Sequence, residues 1–440
     1  MTTEIAIMNK TAVALAADSA VTIGHISSQG QEQKVYNSAN KLFALSKFAP
    51  VGIMVFGNAT LMGIPWETII KTYRVHLGNN TYPFLKDYCE HFFTFLDNFS
   101  VDTKVGERYV LEISSLVFRE IRQQLNEFVE KNTKEGKIVL EKDILFTLKN
   151  IIQEKFSEFK KISESSVFTK IEKNKLKKKY SHIFENSVSC VFEKIPFSRT
   201  DKLKLFDIAI NAITTGPANQ SGVVIAGFGE KEIFPACHDF DVRAILESHT
   251  IKTKRKDHCI SQDSTVAIIP FAQSNEVCTF MEGMGRNIDE FFKKAFHSMM
   301  VHDFPIKLSD ALVEKLKIND LDIKSSIIKI IQEMGHGAVS EIQRNLQLIK
   351  EKYYIHPVVQ ATGFLNKAEL AAMAETLVNL VSFKKQVTLE AETVGGPIDV
   401  AVISKGDGFV WIKRKHYFDP SLNHHFFNNY FSGGVVNEKG

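Results

Sequence analysis

Cysteine is scarce in this sequence: Cys89, Cys190, Cys237, Cys259 and Cys278 are spread over 440 residues, and no two form a CxxC pair. That spacing excludes a disulfide framework and a zinc ribbon, and it points to a reducing compartment. Charge of one sign is lacking too. The formal net charge is +3, so the chain as a whole has no bias toward nucleic acid or an anionic membrane. No apolar run approaches the length of a membrane span, and no basic stretch followed by an apolar core opens the chain. The expected location is therefore the cytoplasm, with neither nucleic acid nor membrane as a partner. GxSxG is absent, and GMGRN at Gly283 is too short a glycine pattern for a dinucleotide site. No cofactor or metal is expected. His297 and His302, five residues apart, fall on different faces of a regular helix, and Cys237-His238 and His424-His425 lack partners at ligand spacing.

What the chain does contain is 44% hydrophobic and 24% charged residues, a balance suited to a globular protein rather than a disordered one. At this length it forms one elaborated domain or two. Alternation at Ile5 and Ile7, a turn at Asn9-Lys10 and the run Ala12–Ala17 predict a β-hairpin that begins almost at residue one. Lys41–Leu45 and Val51–Gly57 predict a second hairpin. Further strands are expected at Val223–Ala226, Glu232–Phe234, Val266–Ile269 and Val277–Met281. Ile398–Ile403 and Phe409–Ile412, flanking Lys405-Gly406-Asp407-Gly408, predict a closing hairpin.

Between these strand-rich parts the period changes. Phe84, Tyr88, His91, Phe92 and Phe95 recur at helical spacing, as do Leu116, Ile121, Leu125 and Val129. The reading divides the chain into 1–62, a mostly helical insertion over 63–215, a second strand-rich part over 216–420 with helices near Ile323–Leu348 and Lys367–Val381, and an aromatic tail over 421–440. The basic runs Lys170–Lys179 and Lys252–Lys256 lack interleaved aromatics, so each reads as a solvated face of a helix or loop. Cys89-Glu90-His91 reads as packing.

Chemistry concentrates at the start. Removal of Met1 would give Thr2 a free α-amine beside its own hydroxyl. An α-amine with a reference pKa of about 7.7 is partly neutral near pH 7 and can accept the hydroxyl proton, so nucleophile and base would share one residue. Such a centre needs a cation, an anion to hold the cation and an N–H donor for the oxyanion. Lys41, Asp18 and Gly57, each at a strand end, are the candidates.

The order Thr2-Thr3, AADS around Asp18, SANKLFAL around Lys41 and VFGNAT around Gly57 resembles the N-terminal third of proteasome β-subunits and their bacterial relatives, the N-terminal-nucleophile hydrolases. The resemblance extends weakly to SGVVIAGFG near Gly227 and ETVGGPIDVAVI near Gly395-Gly396, and covers about half the chain. It implies an α/β four-layer αββα sandwich carrying a large helical insertion. It also implies roles: Thr2 as nucleophile and base, Lys41 lowering the effective pKa of the nucleophile, Asp18 orienting Lys41 and Gly57 N–H holding the oxyanion. Thr22 would hold the substrate backbone, while Val21 and Val55 would line the pocket. Lys34 competes for the lysine role. Lys41 is preferred because Lys-Leu-Phe opens a strand, as in the family. A peptide or protein substrate, a homo-oligomer and a regulatory or unfoldase partner are further implications. The chain departs from the pattern at Met284, between Gly283 and Gly285, at Val394 and at Ala391, where the family has supporting serines and an aspartate. An inactive scaffold and a small-molecule amidase are the rival readings.

Overall fold

The computed structural model describes residues 3–27, 30–37, 39–162, 168–193, 195–215, 221–316, 321–388 and 395–425. In chain order the strands are β1 (Thr3–Asn9), β2 (Ala12–Ala17), β3 (Val21–Ser27), β4 (Gly30–Tyr36), β5 (Leu42–Ala44), β6 (Val51–Gly57), β7 (Thr60–Leu61), β8 (Ile64–Pro65), β9 (Ser221–Gly227), β10 (Ala236–Leu246), β11 (His249–Cys259), β12 (Val266–Ala272), β13 (Asp399–Ser404) and β14 (Gly408–Lys413). The helices are α1 (Trp66–Leu77), α2 (Leu85–Asp97), α3 (Thr103–Lys134), α4 (Glu141–Ile162), α5 (Lys170–Lys179), α6 (Ser181–Phe192), α7 (Arg199–Thr215), α8 (Asn275–Glu282), α9 (Arg286–Ser298), α10 (Phe304–Leu316), α11 (Leu321–Lys350), α12 (His356–Phe364) and α13 (Lys367–Val387). The protein is thus mixed α/β with antiparallel strand pairing. Two compact units divide it, one of residues 1–42, 233–236 and 258–440, the other of 43–232 and 237–257.

The first unit is built on a sheet of order β12-β1-β2-β13-β14. Its founding hairpin turns at Asn9, whose Oδ1 accepts the backbone N–H of Thr11 at 2.9 Å and of Ala12 at 3.2 Å, the local bonding that suits asparagine to turns. Alternation then assigns faces. Ile5, Ile7, Ala14, Ala16, Val400 and Val402 pack with Leu370, Ala374, Leu377, Val378 and Val381 of α13. A reciprocal cap starts that helix: Asn366 Oδ1 accepts the Glu369 N–H, and Glu369 accepts the Asn366 N–H, both at 3.0 Å. Ala6, Met8, Val13 and Leu15, on the other face, are also fully buried.

The expected strand over Val277–Met281 is instead part of α8. A short apolar run does not distinguish strand from buried helix. Here Val277 and Met281, four apart, share the face that meets the Ile5–Ile7 core, and Gly283 at φ +70° ends the helix.

Between α9 and α10 the backbone makes a π-helical turn over Met299–Asp303, and a second lies over Glu351–Ile355 before α12. The first corrects the expectation for the two histidines. In a π turn residues five apart come round to one side, and the His297 and His302 rings lie 5.9 Å apart, with His336 of α11 at 5.5 Å from His297.

In the second unit the sheet order is β11-β10-β9-β6-β5. Phe56 stands opposite Gly222, where any Cβ would lie 1.9 Å from its ring. The strand expected over Glu232–Phe234 does not form; Glu232 instead staples a loop, its carboxylate accepting the N–H groups of Gly229 at 2.6 Å and Leu85 at 2.9 Å. Ile233, 79% exposed, has no buried sheet face to fill. The Lys252–Lys256 run lies on β11, where Lys254 pairs with Asp257 at 2.6 Å and Arg255 with Asp241 at 2.8 Å.

Every element from α1 to α7 is helical, and α3 to α7 share a core of Val117, Phe118, Ile121, Leu125, Phe184 and Ile213, among others. Leu116 faces outward at 43% exposed, one position off the buried stripe. Lys170–Lys179 forms α5, in which only Leu176 is buried and Thr169 caps the start with Glu172. Among the described residues no helix is long and apolar enough to cross a membrane.

Candidate active site

The site lies in the first unit and starts from strand register. Glu4 pairs with Ala17 across β1 and β2, so Asp18, the next residue, arrives beside Thr3. Asp18 N–H donates to the Thr3 carbonyl at 3.1 Å, and Thr3 N–H donates to Asp18 Oδ1 at 3.0 Å. Oδ2 accepts the N–H groups of Gly395 at 3.2 Å and Ala20 at 3.3 Å. The carboxylate is 1% exposed, and these amides replace the water it has lost.

Ser19 carries the segment that delivers the lysine. Its N–H donates to the Gly395 carbonyl at 3.2 Å, its Oγ donates to the Pro397 carbonyl, and its own carbonyl accepts Ala39 N–H at 3.1 Å. Gly396, at φ +76°, packs against Asn37, where an added Cβ would come within 2.8 Å. With residues 37 and 39 so tied, Lys41 enters buried, at 5% exposed, and places Nζ 2.5 Å from Asp18 Oδ1 and 3.5 Å from Glu4 Oε1.

Glu4, fully buried, was not legible as part of this site. Its one signal is a charge inside an otherwise apolar strand, which in a buried position implies a partner. Two carboxylates thus face one ammonium. In its ionised form Glu4 would offset part of the positive field that Lys41 exerts on a neighbouring group.

Among the other expected site residues, Thr2, Ala391 and Val394 lie outside the described residues, as do Phe426 to Phe431 of the aromatic tail. Val21 is half-buried at the start of β3, opposite Tyr36 of β4, and Thr22 follows opposite Val35. Lys34 pairs in register with Ile23. The side chains of Thr22 and Lys34 are outside the described set. Val55 and Gly57 belong to the second unit. Val55 is buried, and Gly57 is exposed at the end of β6 with φ +80°, a backbone state that favours glycine. Met284 sits just past the C-terminus of α8.

Compared with known proteins, the sequence matches no family model and no curated protein.

A second group of titratable residues lines a cavity of about 440 Å³ in the second unit, where Cys89, Phe93, Asp97, His238 and Lys252 converge. His238 Nδ1 lies 2.6 Å from Asp257 Oδ1. Burial pushes the Cys89 thiol far above its ordinary range, so it stays protonated, the reverse of an activated nucleophile. Among the described residues no group of three or more His, Cys, Asp and Glu side chains is arranged to hold a metal ion.

Proposed function

We propose that this chain is a threonine-type N-terminal-nucleophile hydrolase of the four-layer αββα kind, cleaving amide bonds in peptides or proteins. The observation that carries this reading is the buried Asp18–Lys41 pair, joined to the Thr3 amide one residue from the proposed nucleophile. Burial of both faces of β1 and β2 is what an inner sheet of such a sandwich requires.

In the proposed reaction, removal of what precedes Thr2 frees its α-amine. The amine accepts the hydroxyl proton as Oγ attacks the scissile carbonyl, and the oxyanion is held by a backbone N–H. Collapse breaks the C–N bond, the leaving amine takes the proton, and an ester to Thr2 Oγ remains. Water, deprotonated by the same amine, then hydrolyses the ester and restores the hydroxyl. Lys41 would favour the neutral amine, and Asp18 would hold Lys41 in place. Val21 would shape the pocket, and Thr22 would bind the substrate backbone as an added strand.

The test is hydrolysis of a fluorogenic peptide library by the processed protein and by Thr2→Ala. Activity that is lost in the variant while its circular dichroism is unchanged supports the reading. Equal activity in both sinks it. One observation favours the alternative of an inactive scaffold: Glu4 Oε1 lies 3.5 Å from Lys41 Nζ, and an ionised Glu4 would oppose the cation from which catalysis by a neutral amine benefits.

A further inference from the structure

The helix α11 runs Leu321–Lys350 and has two unlike faces. On the inner one, Gly335 is buried because a Cβ there would lie 2.3 Å from the Met300 carbonyl oxygen of the π-helical turn. On the outer one, Ile323, Ile330, Met334 and Leu348 are 47%, 58%, 70% and 55% exposed. At 3.6 residues per turn these four fall within about 40° of one another. Ile342 and Ile349, 38% and 50% exposed, lie about 80 to 100° round the helix from Ile323, nearer to Gly335 than to this stripe. Gly337 lies in the same stripe, and a Cβ on it would meet no atom within 4 Å. No contact within the chain therefore requires a glycine there.

The spacing of the stripe is symmetric. Ile323 and Leu348, Ile330 and Glu341, and Met334 and Gly337 are each placed equally about a point midway between residues 335 and 336. A two-fold axis through that point would set an antiparallel copy of α11 on this one, with Ile323 against Leu348, and the Met334 side chain in the gap left by Gly337. We infer that the outer face of α11 is a self-association surface, and that its partner is the α11 of a second copy of this chain, packed antiparallel.

Area and charge both suit that partner. At roughly 150 to 200 Å² for a large apolar side chain left fully exposed, the low end of the aromatic range, the four stripe residues present on the order of 350 to 450 Å². An interface of which a little over half is apolar would then cover about 600 to 800 Å² per partner, which reaches the standard ~800 Å² at its upper end. Glu341 is the one charge within the stripe. Along its margins Asp322 and Glu333 alternate with Lys324, Lys329 and Arg344, so a second copy meets no like-charged face. This inference does not depend on the proposed activity.

The experiment is disulfide trapping in full-length protein with the exposed Cys190 and Cys259 changed to serine. Within one rigid helix positions 323 and 348 are about 37 Å apart, so they cannot bridge in one chain. The Ile323→Cys/Leu348→Cys variant should give a covalent dimer on mild oxidation, and each single variant should not. Covalent dimer from the single variants would mean parallel pairing and would overturn the proposal, as would a monomer in every case. Gly337→Leu supplies the second arm. It improves helix propensity and its Cβ has no atom within 4 Å, so it should raise the melting temperature of the monomer while weakening the dimer at least tenfold by sedimentation. A dimer unaffected by both Gly337→Leu and Met334→Asp would place the contact elsewhere.

Discussion

Lys41 Nζ lies 2.5 Å from Asp18 Oδ1, and the same oxygen accepts the amide of Thr3 at 3.0 Å. One carboxylate thus ties the start of the first strand to a lysine that follows it by 38 residues in sequence. Asp18→Ala leaves Lys41 buried with Glu4 at 3.5 Å and removes the acceptor for three backbone amides. Breaking a buried pair from one side costs about 3 to 5 kcal/mol, and we expect a loss of that size in urea unfolding. A loss below about 1 kcal/mol would mean the cluster does little for stability.

Lys41 and Lys34 make separate predictions for activity. Lys41→Ala should abolish peptide hydrolysis, and Lys34→Ala, on the β4 strand, should leave at least half of it. The reverse pattern in initial rates would assign the cation to Lys34.

Glu4 gives a prediction with a sign. An ionised Glu4 near the amine would favour its protonated form and raise its pKa, so Glu4→Gln should lower the pKa of the Thr2 amine. The acid limb of kcat/KM against pH, set by the need for a neutral base, should then move to lower pH. An unmoved or alkaline-shifted limb would show that Glu4 does not act on the nucleophile.

In the second unit burial pushes the Asp239 carboxyl up to about 6 from 3.8, against the pull of Arg255 and with Asp241 adding to the rise. Among the described residues its Oδ1 has no hydrogen-bond partner. The folded chain then binds this proton more tightly than the unfolded chain, so its contribution to stability is largest below about pH 4 and declines as the pH rises to about 6. Asp239→Asn should flatten that decline and stabilise the protein at pH 7.5. Parallel urea titrations of both proteins at pH 4.5 and 7.5 measure it, and an equal slope in both would contradict the assignment.

Some of this was legible in the sequence. Asn9 and the Lys405–Gly408 turn mark their hairpins, the Leu370–Val381 stripe marks α13, and Asp18 and Lys41 stand out as charges at the ends of apolar strands. What was not legible depends on contacts or on a change of period. Val277–Met281 is as apolar as a strand, and only its partners in the Ile5–Ile7 core make it helical. The pairing of His297 with His302 needs a π turn, which no local propensity announces. Lys252–Lys256 resembles a solvated loop until Phe93 and Asp241 supply partners along β11. Glu4 has meaning only once Lys41 is beside it.

The most direct measurement is intact mass and peptide mapping of untagged protein before and after treatment with a peptide epoxyketone, which needs both the hydroxyl and the α-amine of an N-terminal threonine. The proposed chemistry predicts loss of Met1 and one stoichiometric adduct on Thr2, absent in Lys41→Ala. A processed Thr2 that takes no adduct across a panel of such reagents, or an adduct that survives Thr2→Ala, would contradict it.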